Sequence, residues 1–373
     1  MQRRPERPST PTMRQPKPVC RARVTAGFVA MFLAIARPVA AQLPAPPVVG
    51  DGPFQWGGYA SITMGQLDRP EAVEGFEVSE LSAALLGWGQ LSTRTSYFVE
   101  LDMAKRTSET WTGRETDQWI VPERLSLEYT ADRALRVRLG RFLTPIGQWN
   151  EQHAEPLTWT PTRPLTTYSP FAKSLTGFLV AGDGTIGGRD VGYAAFWAPS
   201  VDLDGDLESE EESEFASALG ARFATTVHRG LTLGGSIARI RRTHPDETDA
   251  NTGSGPRDRI EEEGGRPLLG TDLRWTTSRF ELTAEATWLL ASDDQPYEGG
   301  VFGLASIRLW GPLWGVVRAE AYHPMDDLSI RTGFAGLTLR ADRRFIAKVG
   351  RQFSRHPSIR IPDGWFASFS SLF

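Results

Sequence analysis

The sequence predicts an all-β fold, a transmembrane antiparallel β-barrel of about 16 strands with short periplasmic turns and long extracellular loops. Three observations carry that expectation. From Phe54 onward, segments of roughly ten residues alternate apolar and polar side chains. Tight turns and long connections take turns between those segments, and the chain ends in an aromatic, strand-like tail closing on Phe373.

Before the first strand comes a targeting segment. Basic residues Arg14, Lys17, Arg21 and Arg23 lead into the apolar run Val24 to Ala36, and Val39-Ala40-Ala41 supplies the small residues of a signal-peptidase site. Residues 1–41 are therefore read as a signal peptide and Gln42 as the first mature residue. The basic region is long, which makes Met13 an alternative start, and Arg37 interrupts the run. Residues 42–53 form a short Pro/Gly-rich lead, and 54–373 form the barrel. Residues 1–41 hold eight of the 41 basic residues and one of the 45 acidic ones, which leaves the remaining chain a formal charge of −11. That acidic balance argues against nucleic acid as a partner. The single cysteine, Cys20, falls inside the targeting segment, so no disulfide staples the mature chain. No later apolar run approaches the roughly 20 residues of a membrane helix.

The elements follow in order. Segments 54–64 and 79–92 are joined by the long connection 65–78. Ser92-Thr93-Arg94 turns tightly into 95–106, and 107–119 leads to 120–131. Asp132-Arg133 turns into 134–145, which is followed by the longest connection, 146–174. Segments 175–186 and 190–199 meet at Gly187-Gly188-Arg189, and 200–214 leads to 215–227. His228-Arg229-Gly230 turns into 231–243, and 244–266 leads to 267–277. Thr277-Ser278 turns into 279–291, and 292–299 leads to 300–310. Gly311-Pro312 turns into 313–323, and 324–329 leads to 330–341. Asp342-Arg343 turns into 344–354, and 355–363 leads to the last segment, 364–373. Short connections of this composition are hairpin turns. A soluble sandwich gives no reason for long loops at every second connection, whereas a membrane barrel requires it.

Facing follows from cost. An Arg or Lys on lipid at the bilayer midplane costs about 2–4 kcal/mol, so the apolar parity of each strand points outward. Tyr97, Val99, Leu101 and Met103 then face lipid, and Glu100 and Asp102 face the lumen. The same rule turns Arg124, Glu128, Arg136, Arg138, Glu281, Glu285, Arg318, Glu320, Arg340 and Lys348 inward. A lumen lined with both signs of charge implies water, and barrels of this strand number leave an aqueous channel. Arg141 breaks the parity. Either a bulge at Gly140 re-aims it, or that wall faces another subunit.

The tail Trp365-Phe366-Ala367-Ser368-Phe369-Ser370-Ser371-Leu372-Phe373 resembles the signal read by the barrel-assembly machinery, with Ser371 departing from the usual apolar residue. The stretch Arg138-Leu139-Gly140-Arg141-Phe142-Leu143-Thr144-Pro145-Ile146-Gly147-Gln148-Trp149-Asn150-Glu151 resembles the strand-to-loop motif of bacterial porins in the phosphate-selective porin O and P superfamily. This resemblance implies a homotrimer of sixteen-stranded channels in the outer membrane of a Gram-negative bacterium, with the third outer loop folded inward. Outer-membrane lipid, lipopolysaccharide and small hydrophilic solutes or ions would be its partners, with no cofactor. The phosphate-specific members have lysine-rich pores, whereas only Lys105, Lys173 and Lys348 follow residue 41 here, so phosphate selectivity does not carry over. The N-terminal helical extension of some relatives is also missing.

Within 146–174, Trp149, Glu151, His153, Glu155, Trp159, Arg163, Tyr168 and Lys173 are candidates for a constriction that narrows the pore, with Arg136 and Arg138 on the facing wall. A long loop in a compact architecture is usually functional or disordered, and the plain alternative is a surface loop over the mouth. Asp202, Asp204, Asp206, Glu208, Glu210, Glu211, Glu212 and Glu214 form an acidic loop that begins like a calcium loop. Leu207 and Ser213 occupy the positions where that motif needs Gly and Glu, so no metal site is expected. His323 near Asp326 and Asp327 raises a barrel hydrolase as an alternative, but no motif supplies a nucleophile. A structural or adhesion barrel with a closed lumen is the third reading.

Overall fold

The computed structural model describes residues 54–68, 77–110, 113–167, 170–200, 214–245, 259–261, 265–292, 295–324, 329–342, 344–355 and 363–373. The signal peptide and lead, the acidic loop from Asp202 to Glu212, Tyr168, Asp326 and Asp327 lie outside them.

Sixteen strands account for most of the described chain. They are β1 (Gln55–Leu67), β2 (Glu77–Gln90), β3 (Thr95–Thr110), β4 (Gly113–Thr130), β5 (Arg136–Leu143), β6 (Ser174–Ile186), β7 (Arg189–Ser200) and β8 (Glu214–His228). There follow β9 (Leu231–Pro245), β10 (Arg266–Thr276), β11 (Phe280–Leu289), β12 (Glu298–Trp310), β13 (Leu313–His323), β14 (Ile330–Arg340), β15 (Phe345–Ser354) and β16 (Gly364–Leu372). A three-residue strand, Arg259–Glu261, pairs with the outer end of β9. Each strand runs antiparallel to the next, and β1 pairs with β16, so the sheet closes. The Gly58 and Phe373 backbones exchange two 3.0 Å hydrogen bonds at that seam. Closure removes both edges and satisfies the backbone within the sheet, as lipid requires.

All sixteen expected segments are strands. The clearest difference is at 107–119, expected as a loop. There β3 and β4 pair on to Thr110 opposite Gly113. Apolar residues do not alternate here, but the backbones of 107–110 and 113–116 still pair. The 244–266 connection likewise contains the extra strand and the last residues of β9.

The two faces separate as transfer cost demands. Leu81, Leu101, Leu125, Leu139, Leu219, Ile237, Val301 and Val317 are exposed on the outer parity. Tyr129, Tyr193, Trp275, Trp310 and Phe345 are exposed close to the short turns, where an aromatic girdle meets headgroups. Arg141 is not exposed to the lipid side; it is buried. No bulge re-aims it: β4 and β5 pair without a register shift through Gly140, whose φ is 118°, and Arg141 stays opposite Leu125. A true bulge lies one strand away. Glu100 pairs with Arg124 and Leu101 with Pro122, which leaves Glu123 as the extra residue of β4. Glu123 and Arg124 are consecutive, yet Glu123 is buried and Arg124 reaches the inward Glu100.

Candidate functional site

Between β5 and β6, residues 144–173 run inside the barrel. Their base is closed by the Thr144 amide donating to Lys173 O (2.9 Å) and by Asn150 Nδ2, which donates to Thr144 O (2.8 Å) and Lys173 O (2.9 Å). The path then turns at Gly147, whose φ of 68° favours glycine. A side chain there would also meet the Glu285 carboxylate of β11. That carboxylate accepts the Gln148 amide (2.9 Å) and the Trp149 amide (2.5 Å), so one acid fixes the direction of the first limb. A 3₁₀ turn, Asn150–Gln152, ends at His153, and a second, Leu165–Thr167, lies on the return.

Strands β10 to β16 hold the far side of the segment. Gln152 Oε1 accepts from Arg274 (2.6 Å), and Trp159 Nε1 donates to Glu281 (3.0 Å). Lys348 Nζ donates to Glu155 O (2.6 Å), Glu155 Oε1 (2.8 Å) and Thr158 Oγ1 (2.8 Å), and Ser368 Oγ donates to Glu155 (2.8 Å). Arg340 reaches Leu157 O (3.1 Å) and lies 4.0 Å over the Trp159 ring. Arg318 donates to Thr160 Oγ1 and Thr162 Oγ1 (both 3.0 Å) and to Gln352 (3.1 Å). Glu320 accepts the amide (2.8 Å) and hydroxyl (3.0 Å) of Thr166. Trp159 packs with Trp314, Phe302, Leu304, Val316 and Phe334, and Trp149 joins them. A cavity of about 40 Å³ remains between Trp149, Trp159, Arg274 and Glu281. This wall is therefore buried under the segment. A buried polar group left without its partner costs about 1–3 kcal/mol, so these hydrogen bonds hold the segment on its path.

On the other side, from β2 to β8, the inward charges pair within the wall. Glu80 meets Arg106 (3.3 Å), Glu100 meets Arg124, Glu128 meets Arg138 (2.6 Å) and Arg136 meets Asp183 (2.7 Å). Arg222 makes a two-toothed contact with Asp272 of β10 (2.6 and 2.8 Å). Arg136 and Arg138 keep about a third of their side-chain surface exposed (29% and 36%), so this side meets water. Glu151 is exposed on the segment and lies within electrostatic range of Arg222, Asp272 and Arg138.

The candidate residues thus divide. Glu155, Trp159, Glu281, Glu285, Arg318, Glu320, Arg340 and Lys348 come together at the interface between the segment and the β10–β16 wall. Arg163 lies 5.1 Å over the Trp149 ring and donates to Thr167 Oγ1 (3.0 Å). His153, Lys173 and Asp102 meet at the base of the segment. Arg136 is held by Asp183 and Arg138 by Glu128 rather than by the loop, and Arg138 acts on Glu151 only through its field. His323 stacks on Tyr297 with ring centroids 4.5 Å apart. Sequence reasoning missed Glu123, Arg222, Asp272, Arg274 and Gln352. Inward parity carried the last four; Glu123 had no such signal, because a bulge places it.

No family model matches this chain, and no curated protein matches it. What the coordinates define is a closed, sixteen-stranded barrel with a segment folded into it, the fold of bacterial porins. Among solved structures, the chain is similar to OmpF of Salmonella typhi in complex with daunomycin, at 12% identity and a TM-score of 0.55, covering 86% of this chain and 97% of that one. An anion-selective porin from Comamonas acidovorans matches at 12% identity and 0.52, covering 86% and 99%. OmpT of Vibrio cholerae, an outer-membrane protein in its trimer form, matches at 7% identity and 0.52, covering 86% and 99%.

Proposed function

We propose that the protein is a non-catalytic, porin-type channel for passive diffusion of small hydrophilic solutes or ions across the outer membrane of a diderm bacterium. One observation carries this reading. The described part of 144–173 covers the β10–β16 wall but leaves the Arg136–Asp183 and Glu128–Arg138 pairs partly exposed, with Glu151 exposed on the segment. The water-filled route runs between those pairs and the segment, which sets the bore. Asp102, Arg124, Glu128, Arg136 and Arg138 line it, whereas Glu100, expected on the pore, is buried under Arg124; the charges of β11–β15 line it indirectly, by holding the segment. Because acids alternate with bases, ion selectivity is weak, and single-sign rings that give strong selectivity are lacking among the described residues.

Residues 1–41 direct export and are removed, and the last strand, ending in Phe373, is handed to the barrel-assembly machinery. The assembled form is a homotrimer among lipopolysaccharide and lipid, as in the trimer form of the Vibrio cholerae neighbour. The finer kinship with the phosphate-selective porin O and P superfamily rests on residues 138–151 alone. His323 supports no hydrolase, since its ring is engaged with Tyr297. Reconstitution in a planar bilayer tests the reading: discrete conductance steps with small reversal potentials are expected. A properly folded barrel without conductance would leave the closed structural barrel standing instead.

A further inference from the structure

We propose that Glu123, with His153 and Lys173, is a positioning clamp that seats the inserted segment and makes the bore of the channel respond to acid. The inference rests on the channel reading and names a regulation of the same site. Glu123 stands where the wall meets both limbs of the segment. Lys173 Nζ lies 3.0 Å from Glu123 and 3.7 Å from Asp102 of β3, on the returning limb. Ser174 Oγ donates to Glu123 Oε1 at 2.9 Å. On the departing limb, His153 Nε2 lies 3.9 Å from the same oxygen. One bulge carboxylate therefore ties the end of the segment to β4 and stands beside the imidazole at its start.

The imidazole is what can switch. His153 Nδ1 lies 2.7 Å from Asn150 O, which can only accept, so the proton of the neutral ring sits on Nδ1. Nε2 has no hydrogen-bond partner and points into a buried pocket. Two acids, Glu123 and Asp102, already face two cations there, Lys173 and Arg163. Alongside, Glu100 is occupied by Arg124, and Tyr59 of β1 is buried against the same acids. A third positive charge would be uncompensated. Burial pushes His153 well below the ordinary histidine value of 6.5, and Lys173 and Arg163 push the same way against Glu123. The sign follows from linkage. The released segment binds the proton more tightly than the seated one, so seating is at full strength above pH 6.5 and weakens as pH falls below it. The ratio of released to seated channels rises by up to about tenfold per pH unit in that window.

Single-channel recording from pH 8 to pH 5 tests the clamp on the wild type, His153→Asn, Glu123→Gln and Glu123→Asp. The wild type is expected to gain a higher-conductance state as pH falls. His153→Asn, which keeps a donor for Asn150 O, should lose that response. Glu123→Gln should show the higher-conductance state already at pH 8, and Glu123→Asp should restore part of the seating. A wild-type channel of constant conductance, or a His153→Asn channel with the full acid response, overturns the proposal while leaving the channel intact. Absence of any conductance at any pH would instead strike the channel reading. Should variants fail to assemble, amide exchange in the wild-type barrel decides. Corrected for intrinsic pH dependence, exchange of residues 146–167 should accelerate below pH 6.5, and an unchanged protection factor rejects the clamp.

Discussion

The two halves of the lumen are built by one sequence pattern and finished by different chemistry. From β10 to β16, inward charges end on the backbone and hydroxyls of residues 147–166: Glu285 on two amides, Lys348 and Arg340 on carbonyls, Arg318 on two threonines. From β2 to β8, Glu128 ends on Arg138 and Arg136 on Asp183, and these pairs keep contact with water, while Asp102 and Glu123 reach Lys173 at the base of the segment. Inward parity therefore says that a residue avoids lipid. It does not say that the residue meets solute. The loop, not the strand, decides which inward charges belong to the pore and which to a core.

Removing the loop should erase the comparison. Deleting Gln152 to Phe171 opens the lumen to Arg318, Arg340 and Lys348 and equally to Glu281, Glu285 and Glu320, so conductance should rise by roughly twofold or more as the cross-section widens, with selectivity staying weak. Unchanged conductance in a correctly assembled deletion would mean that the segment does not set the bore. Next in size is a break at a single buried contact. Lys348→Met leaves Glu155 without its cation in a site where the lysine is 1% exposed, and should cost on the order of 3–5 kcal/mol of seating. Noisy, higher conductance with the barrel's heat-modifiable gel shift retained is the expected record. Gly147→Ala combines backbone strain of about 1–2 kcal/mol with a collision against Glu285, and should give a milder version of the same record. The smallest effect is expected on the wet side. Neutralising Arg136 and Arg138 together should shift reversal potentials modestly toward cations at low salt and leave conductance steps nearly unchanged, since partly exposed charges are screened. A large change in conductance there would show that Arg136 and Arg138 also help to hold the segment.

Period-two alternation made the strands legible because lipid and lumen select opposite faces within the membrane-spanning part of each strand. The same rule failed at 107–119, where apolar residues do not alternate and the sequence carries no strand signal. It also missed Glu123: a bulge inserts one residue without changing the composition of Pro122-Glu123-Arg124, and local sequence cannot tell which of two adjacent charges points inward. The partners of the segment were out of reach for a different reason. Trp159 meets Glu281, and Glu155 meets Lys348, from 122 and 193 residues away, and no periodicity links residues so distant in sequence. Even so, the types were present. Threonines at 158, 160, 162, 166 and 167 are small donors and acceptors suited to lying against a charged wall.

The seam between β1 and β16 has a consequence in time. Fifteen of the sixteen pairings join strands that are neighbours in sequence, but Gly58 and Phe373 meet across nearly the whole chain. Loop-closure entropy must be met for this pairing before any of its hydrogen bonds forms, which makes it the slowest step by topology. Until then the other strands constitute an open sheet with two unpaired margins and an outward face of bare leucine and aromatic side chains, which is the arrangement most prone to join with another copy. A chain of this design reaches its final form only where something holds both margins apart from other sheets and near each other until the circle closes.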